Sequence, residues 1–370
     1  MKHLVFVGAG HAHLLPLSRT REFVREGARV TLVAPGKFWY SGMGPGMVSG
    51  FYEPGDDTVD AERLVTEGGG EFVRAEVARI DPARRTLDLR SGPQISYDVL
   101  SLNVGSEVPL EKIDGAAEHG VSVKPIKNLL ALRERLTNAP GNPRVVVVGG
   151  GAAGSEVCVN LWHLLKSSGR KPQLTLVFAE DRLLTQATPK ASLILRRYLE
   201  ELNVRLVARS RVQQVTAHAV ELADGEAIPF DALTLAIGIR PPALLHEAGL
   251  PCAEDGSMRV NAFLQSPAHP EIFGAGDCIC FGKECLSRIG VYAVRQAPVL
   301  HRNLLAFLRG ETLEGFSPQK NYLLILNLGD GTGLLTYGGF TARGRWAFWF
   351  KDWLDRRFVR EFQQRQPRAG

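Results

Sequence analysis

The chain carries the same glycine-rich junction twice, and no other feature constrains its fold as much. At the N-terminus the apolar run Leu4-Val-Phe-Val7 meets Gly8-Ala-Gly10-His11-Ala12-His13. About 140 residues later Arg144-Val-Val-Val-Val148 meets Gly149-Gly-Gly151-Ala152-Ala-Gly154-Ser-Glu156. Each reads as a buried parallel strand, a tight turn and the start of a helix. The turn glycines leave no side chain to block a phosphate, and the helix start offers unpaired N–H groups at the positive end of its dipole. One such junction is common in α/β proteins; two in one chain point to two bound dinucleotides. In the first, His13 stands where the third glycine would be. A satisfied buried imidazole is its expected role, with proton transfer by His11 or His13 the alternative.

The surroundings repeat the plan. The first helix is expected to run through about Arg25, and residues 28–34 form a second strand ending at Ala34-Pro35, without the usual ribose-binding carboxylate. The stretch Tyr40-Ser41-Gly-Met-Gly-Pro-Gly46 is too glycine-rich to read as helix. It is either a close approach of backbone to a flat ligand or a surface turn. Residues 71–80 and 85–89 predict a small antiparallel addition, and residues 97–106 a buried strand ending in Asn103-Val-Gly105-Ser106. In the second unit, residues 173–177 form the next strand and the acid is displaced to Glu180, while residues 231–241, with Gly238, repeat the pattern of 97–106. A short strand then ends in Gly274-Ala-Gly276-Asp277, and Gly290-Val-Tyr292-Ala293-Val-Arg-Gln296 opens a helix to about Leu308.

The tail has a different character. Residues 322–328 and 333–339 read as a hairpin, and three of the five tryptophans fall within residues 345–362. Trp346, Trp349, Phe350, Trp353 and Leu354 share one broad helical face edged by Arg and Lys, which suits a helix lying on a membrane surface. The alternative is a helix docked on its own body or on a homodimer partner. The net charge of +5 resides in this tail: residues 343–370 hold eight basic and three acidic residues, and the remainder holds 36 of each sign. The neutral body gives no reason to expect nucleic acid. The first strand begins at residue 3 and the five cysteines are odd in number, so a cytoplasmic setting with reduced thiols is expected. No apolar run reaches membrane-spanning length.

The order of first fingerprint, second fingerprint, Ala-Ile-Gly turn, Gly-Ala-Gly-Asp and final helix resembles the two-dinucleotide-binding-domain flavoproteins, the pyridine nucleotide–disulfide oxidoreductase superfamily. Gly-His-Ala-His, Tyr-Ser-Gly-Met, Val-Tyr-Ala-Val-Arg-Gln-Ala-Pro and the Trp-rich end resemble its NADH dehydrogenase-like branch. That branch holds type II NADH:quinone oxidoreductases and a subgroup associated with selenide, water dikinase. The resemblance implies an α/β fold of two Rossmann-like domains, the second inserted in the first. FAD would occupy residues 1–115 and 253–315, NADH or NADPH residues 116–252, with residues 316–370 as a β/amphipathic-helix extension.

It further implies that Gly8, Gly10, His11, Ala12, Ala34, Tyr40, Ser41, Val77, Asn103, Gly105, Gly276, Asp277 and Ala293 hold FAD. Gly149, Gly151, Ala152, Gly154, Glu180 and Gly238 would hold the nicotinamide nucleotide. Glu156, Tyr292 and Gln296 would act at the reacting rings, Glu156 on the carboxamide and the 292–296 helix start toward the flavin N1/O2 edge, where donors stabilise negative charge. The function expected is an NAD(P)H:quinone oxidoreductase, peripheral on the inner membrane face and anchored through residues 345–362. The redox cysteine pair of disulfide reductases is absent from residues 40–50. Cys278, Cys280 and Cys285 leave a sulfur- or selenium-compound oxidoreductase as one alternative, and no metal site is assigned to them because zinc sites show two spaced pairs. A low-turnover flavin-bound membrane or partner-binding module is the other.

Overall fold

The computed structural model describes residues 1–282 and 285–363. Its first sheet has five strands, all parallel, in the order Ile272–Gly274, Val99–Leu102, His3–Val7, Arg29–Ala34 and Glu71–Arg74. Helices cover such sheets on both faces, so their strands are near-continuous apolar runs; Leu4, Val5 and Phe6 are fully buried. The second sheet is also parallel: Val121–Ser122, Ala232–Leu235, Arg144–Val148, Gln173–Val177 and Arg205–Val207. Its strands all fall between Leu102 and Ile272, so one Rossmann-like unit is inserted in the other.

The two fingerprints solve the helix–strand contact differently. At the second, Gly149 has φ +126°, and a Cβ on Gly154 would lie 2.0 Å from the Gly149 carbonyl oxygen, so both positions require glycine. At the first, His13 replaces the packing glycine with a hydrogen bond. Its ring nitrogens lie 2.5 Å from the Gly8 carbonyl oxygen and 2.8 Å from the Ser101 hydroxyl. Burial, only partly offset by the Gly8 carbonyl, holds its pKa down at about 4, so it is a neutral structural imidazole.

In the local secondary structure before the tail, three stretches differ from expectation. The first helix is broken at Arg19 into His11–Ser18 and Thr20–Arg25, because Arg19 leaves helical geometry and the Thr20 hydroxyl bonds the Leu17 carbonyl. The glycine-rich stretch is not wholly loop: Gly44–Val48 is helical, opened by Pro45 and entirely buried. Tertiary packing outweighs the poor propensity there, since a Cβ on Gly46 would meet the Tyr52 ring at 2.6 Å. Glu71–Arg74 joins the edge of the parallel sheet, and the antiparallel addition is Val77–Asp81, Thr86–Leu89 and Ile95–Ser96.

The helix Gly290–Arg309 packs along His11–Ser18. The tail forms a three-stranded antiparallel sheet, Leu324–Asn327, Gly333–Tyr337 and Phe340–Gly344, one strand more than expected, followed by the helix Arg345–Gln363. Residues 364–370 of the expected extension lie outside the described residues. Cys280 and Cys285, whose Cα atoms lie 4.4 Å apart, are joined in a disulfide, contrary to the expectation of reduced thiols; Cys158, Cys252 and Cys278 are free. No helix among the described residues is long and apolar enough to cross a membrane.

Candidate active site

A cavity of about 1240 Å3 is walled by both glycine fingerprints, the 38–45 segment, the Gly276-Asp277 turn, the start of the 290–309 helix and the tail helix. It brings together Gly10, His11, Tyr40, Ser41, Asn103, Gly105, Gly149, Gly151, Ala152, Gly154, Glu156, Glu180, Gly238, Gly276, Asp277 and Ala293, all singled out from the sequence.

At the first-fingerprint end, Asp277 is the central charge. Its Oδ2 accepts hydrogen bonds from Lys124 Nζ (2.8 Å) and the Ser106 hydroxyl (2.7 Å). Burial opposes ionisation of this carboxyl, but Lys124, Ser106 and His11 outweigh it and hold its pKa below the ordinary value. Two buried polar atoms in this wall, His11 Nε2 and Asn103 Oδ1, have no hydrogen-bond partner. Buried polar atoms are rarely left unpaired. Their presence beside Gly10 and the start of the His11–Ser18 helix fits a cofactor with a pyrophosphate and a polyhydroxyl chain. The aromatic rings of Phe38, Tyr40 and Phe358 surround the His11 ring, and burial carries its pKa down to about 4.

At the second-fingerprint end, a Cβ on Gly151 would meet nothing within 4 Å, so that position faces open cavity. Phe178 is buried where the ribose carboxylate would ordinarily stand, and Glu180 lies exposed on the rim. The loop after Arg205–Val207 runs against it, with Arg209 N–H donating to the Glu180 carbonyl (3.0 Å). Arg182 does not compete there: its guanidinium donates to the carbonyls of Leu184 (3.1 Å), Thr185 (2.8 Å) and Ala187 (3.3 Å).

Between the two ends lies a cluster that the sequence reading found only in part. Glu156 is buried, and its Oε1 accepts the Asn327 N–H at 2.7 Å. Burial pushes its pKa up to about 7, and the Lys351 ammonium limits the rise. Lys351 donates to the Gly42 carbonyl and to Asp355 Oδ2, both at 2.5 Å, and Tyr40 donates to Asp355 Oδ1 at 2.9 Å. Burial opposes the Lys351 charge, but Asp355 and Glu156 hold its pKa above the ordinary value. Lys351, Asp355 and Lys124 were not anticipated. A signal for the first two was present, an i,i+4 Lys–Asp pair amid aromatics, but it reads equally as a solvated ion pair.

Several expected residues stand elsewhere. Tyr292 and Gln296 do not line this cavity. Gln296 Oε1 accepts the Gly276 N–H (2.7 Å), the Tyr292 hydroxyl donates to the Gln319 carbonyl (3.3 Å), and both residues line a small adjoining pocket together with Gly276 and Asp277. Gly8, Ala12, Ala34 and Val77 are also outside the lining. Gly8 reverses the chain at φ +82° and accepts from His13, Ala12 and Ala34 are packed in the core, and Val77 begins the antiparallel addition.

Two inserted parallel sheets, each presenting a fingerprint to one shared cavity, define a flavoprotein reductase that uses FAD and a nicotinamide nucleotide. The chain belongs to the pyridine nucleotide-disulphide oxidoreductase family, whose model matches residues 2–299. It is 26% identical over 319 residues to ferroptosis suppressor protein 1 of Xenopus laevis, covering 80% of each chain. It is 24% identical over 225 residues to a demethylphylloquinone reductase of Synechocystis, covering 58% of this chain and 55% of that one. Among solved structures, NDH2 of Plasmodium falciparum in complex with NADH superposes with a TM-score of 0.82 at 15% identity, over 99% of both chains.

Proposed function

We propose that the protein is an NAD(P)H:quinone oxidoreductase that works at a membrane surface. The observation that carries this reading is the convergence of Glu156, Lys351, Asp355 and Tyr40 on the cavity shared by both fingerprints. FAD, held by the first-fingerprint wall, would supply the hydride- and electron-transfer chemistry. The protein's part is position and protons. We assign residues 1–115 and 253–315 to the flavin and 116–252 to the nucleotide. Glu156, with a pKa near 7, exchanges a proton at neutral pH. Lys351, kept charged by Asp355, places a cation where a quinone oxygen gathers negative charge. Tyr322, Leu323, Leu324, Leu354 and Phe358 give this part of the wall an apolar lining suited to a quinone ring.

The membrane reading rests on the tail helix, with one correction. The helix docks on the body through Ala347, Phe348, Lys351, Asp355, Val359 and Phe362, the face opposite the aromatic stripe. Trp346, Trp349, Phe350 and Trp353 stay exposed, joined by Tyr337 and Phe340 of the tail sheet. Arg345 and Arg357 lie over the rings of Trp349 and Trp353 at 6.0 and 5.3 Å. Aromatics flanked by arginines suit the headgroup layer of an anionic bilayer. The sulfur or selenium alternative finds no support in the cavity, because Cys278, Cys280 and Cys285 do not line it.

The test is anaerobic mixing of the holoprotein with NADH or NADPH, followed by a panel of quinones, polysulfide and oxygen. Bleaching of the flavin and rapid reoxidation by a quinone, unaffected by thiol alkylation, are expected. Failure to bleach would favour a binding module, and loss of reoxidation on alkylation a thiol-dependent enzyme.

A further inference from the structure

We propose that Cys280 and Cys285 form a thiol–disulfide exchange site whose redox state sets how firmly the flavin is held. The pair is distinct from the electron route, since neither residue lines the cavity. Cys280 is fully buried on the strand Ile279–Phe281, which pairs with Met258–Val260, whereas Cys285 is exposed. The outer sulfur is therefore the one a reductant meets.

The bond lies between two pieces of the flavin wall. Asp277 is three residues before Cys280, and the helix starting at Gly290 is five residues after Cys285; Asp277, Arg288, Ile289 and Gly290 all line the cavity. Between the strand Ile279–Phe281, fixed by its own pairing, and the helix start, two covalent or polar side-chain links act among the described residues. One is the disulfide. The other is Arg288, which donates to the Asp277 carbonyl (3.0 Å), the Ile239 carbonyl (3.3 Å) and the Ser257 hydroxyl (2.7 Å), and pairs with Asp255. Opening the disulfide removes the link between Cys285 and that strand and leaves Arg288 and the packing of Leu286 to hold the residues before the helix start. Local opening becomes easier, and with it escape of the flavin.

The other thiols do not compete for exchange. Burial pushes Cys158 and Cys278 up to about 12 and also raises Cys252, so all three stay protonated. The reductant is a dithiol or a pair of monothiols. Its thiolate attacks the Cys285 sulfur, the Cys280–Cys285 bond breaks, and Cys280 departs as thiolate and takes a proton. The second thiol then displaces Cys285 from the mixed disulfide, so two electrons and two protons enter the pair and the reductant leaves as a disulfide. A disulfide such as oxidised glutathione reverses the sequence.

The experiment uses FAD-loaded protein equilibrated in glutathione buffers of graded reduced-to-oxidised ratio. Acid quenching, alkylation and mass spectrometry report the fraction linked, and fluorescence of freed FAD after dilution reports its release rate. The expected result is a two-electron titration of this pair alone, with release roughly fivefold faster from the reduced form. Cys285→Ser, a change at an exposed position, is expected to release FAD at the faster rate in every buffer. A pair that stays in one state across the range overturns the proposal. So does equal release from both forms, or a Cys285→Ser protein that retains FAD like the oxidised wild type.

Discussion

Replacing Glu156 by glutamine keeps the side chain's shape and an oxygen to accept the Asn327 N–H, but removes the ionisable proton. Burial raises this carboxyl from its ordinary 4.5 to about 7, against the pull of Lys351. At 1.36 kcal/mol per pKa unit the difference is about 3 kcal/mol. Below pH 4.5 the group is protonated in both folded and unfolded chains and costs nothing. Between pH 4.5 and 7 the unfolded chain gives up the proton and the folded one keeps it, so stability falls as pH rises and levels off above 7. The Gln variant lacks this loss. Urea unfolding in excess FAD, run at pH values from about 5 to 8, should show the variant gaining roughly 2–3 kcal/mol on wild type toward the alkaline end. Quinone turnover by the variant should fall about 10²-fold, since the amide cannot exchange a proton. Parallel stability profiles for the two proteins would refute the burial argument, and undiminished turnover would refute the proton role.

Gly151→Val should fold, retain FAD and be bleached by dithionite yet not by NAD(P)H, because its side chain would project only into open cavity; loss of FAD with coenzyme affinity intact would reverse the assignment of the two fingerprints. Glu180 on the rim should make wild type prefer NADH, and Glu180→Ala should lower the NADH-to-NADPH ratio of kcat/KM severalfold; a wild-type preference for NADPH, or an unchanged ratio, counts against it. Trp349→Ser with Trp353→Ser removes two rings that are 64% and 52% exposed. Returning such half-buried rings to lipid contributes roughly 2 kcal/mol together, so binding to anionic liposomes should weaken about thirtyfold while a water-soluble acceptor is reduced as before; equal sedimentation would show that lipid does not meet this face.

Much of the architecture was legible because strand runs and glycine spacing are local signals. Val145 to Val148 can only be buried, and Gly149 and Gly154 are dictated by backbone contacts that the motif encodes. Segments whose conformation is imposed from a distance were not legible. Gly44–Val48 is helical because Tyr52 and Ile126 pack on its glycines. Gln296 accepts the Gly276 N–H through its Oε1, a contact across 20 residues that no local pattern shows. Lys124 lies far in sequence from Asp277, 153 residues away, and no pattern connects them. The disulfide is hidden for a related reason: five residues of separation say nothing about how near two cysteines lie in space.

The tail helix shows how a sequence pattern can be right about a face and wrong about what lies behind it. Its aromatic stripe is exposed as the spacing implies, but a helix has two sides, and the other one is buried. The stripe faces outward. Within a few residues along the same turns, Lys351 and Asp355 face inward and close the cavity. An α-helix with its side chains is about 10–12 Å across, so a bilayer held by the tryptophans would lie roughly that far from the Lys351 ammonium. An apolar acceptor leaving such a surface would need to pass only one helix, along Leu354 and Phe358, to reach the charges that stabilise its reduction. Removing the helix would therefore uncover core residues such as Phe348 and Val359 and delete part of the cavity wall along with the exposed aromatic face. Only substitutions confined to one face can separate delivery of the acceptor from its chemistry.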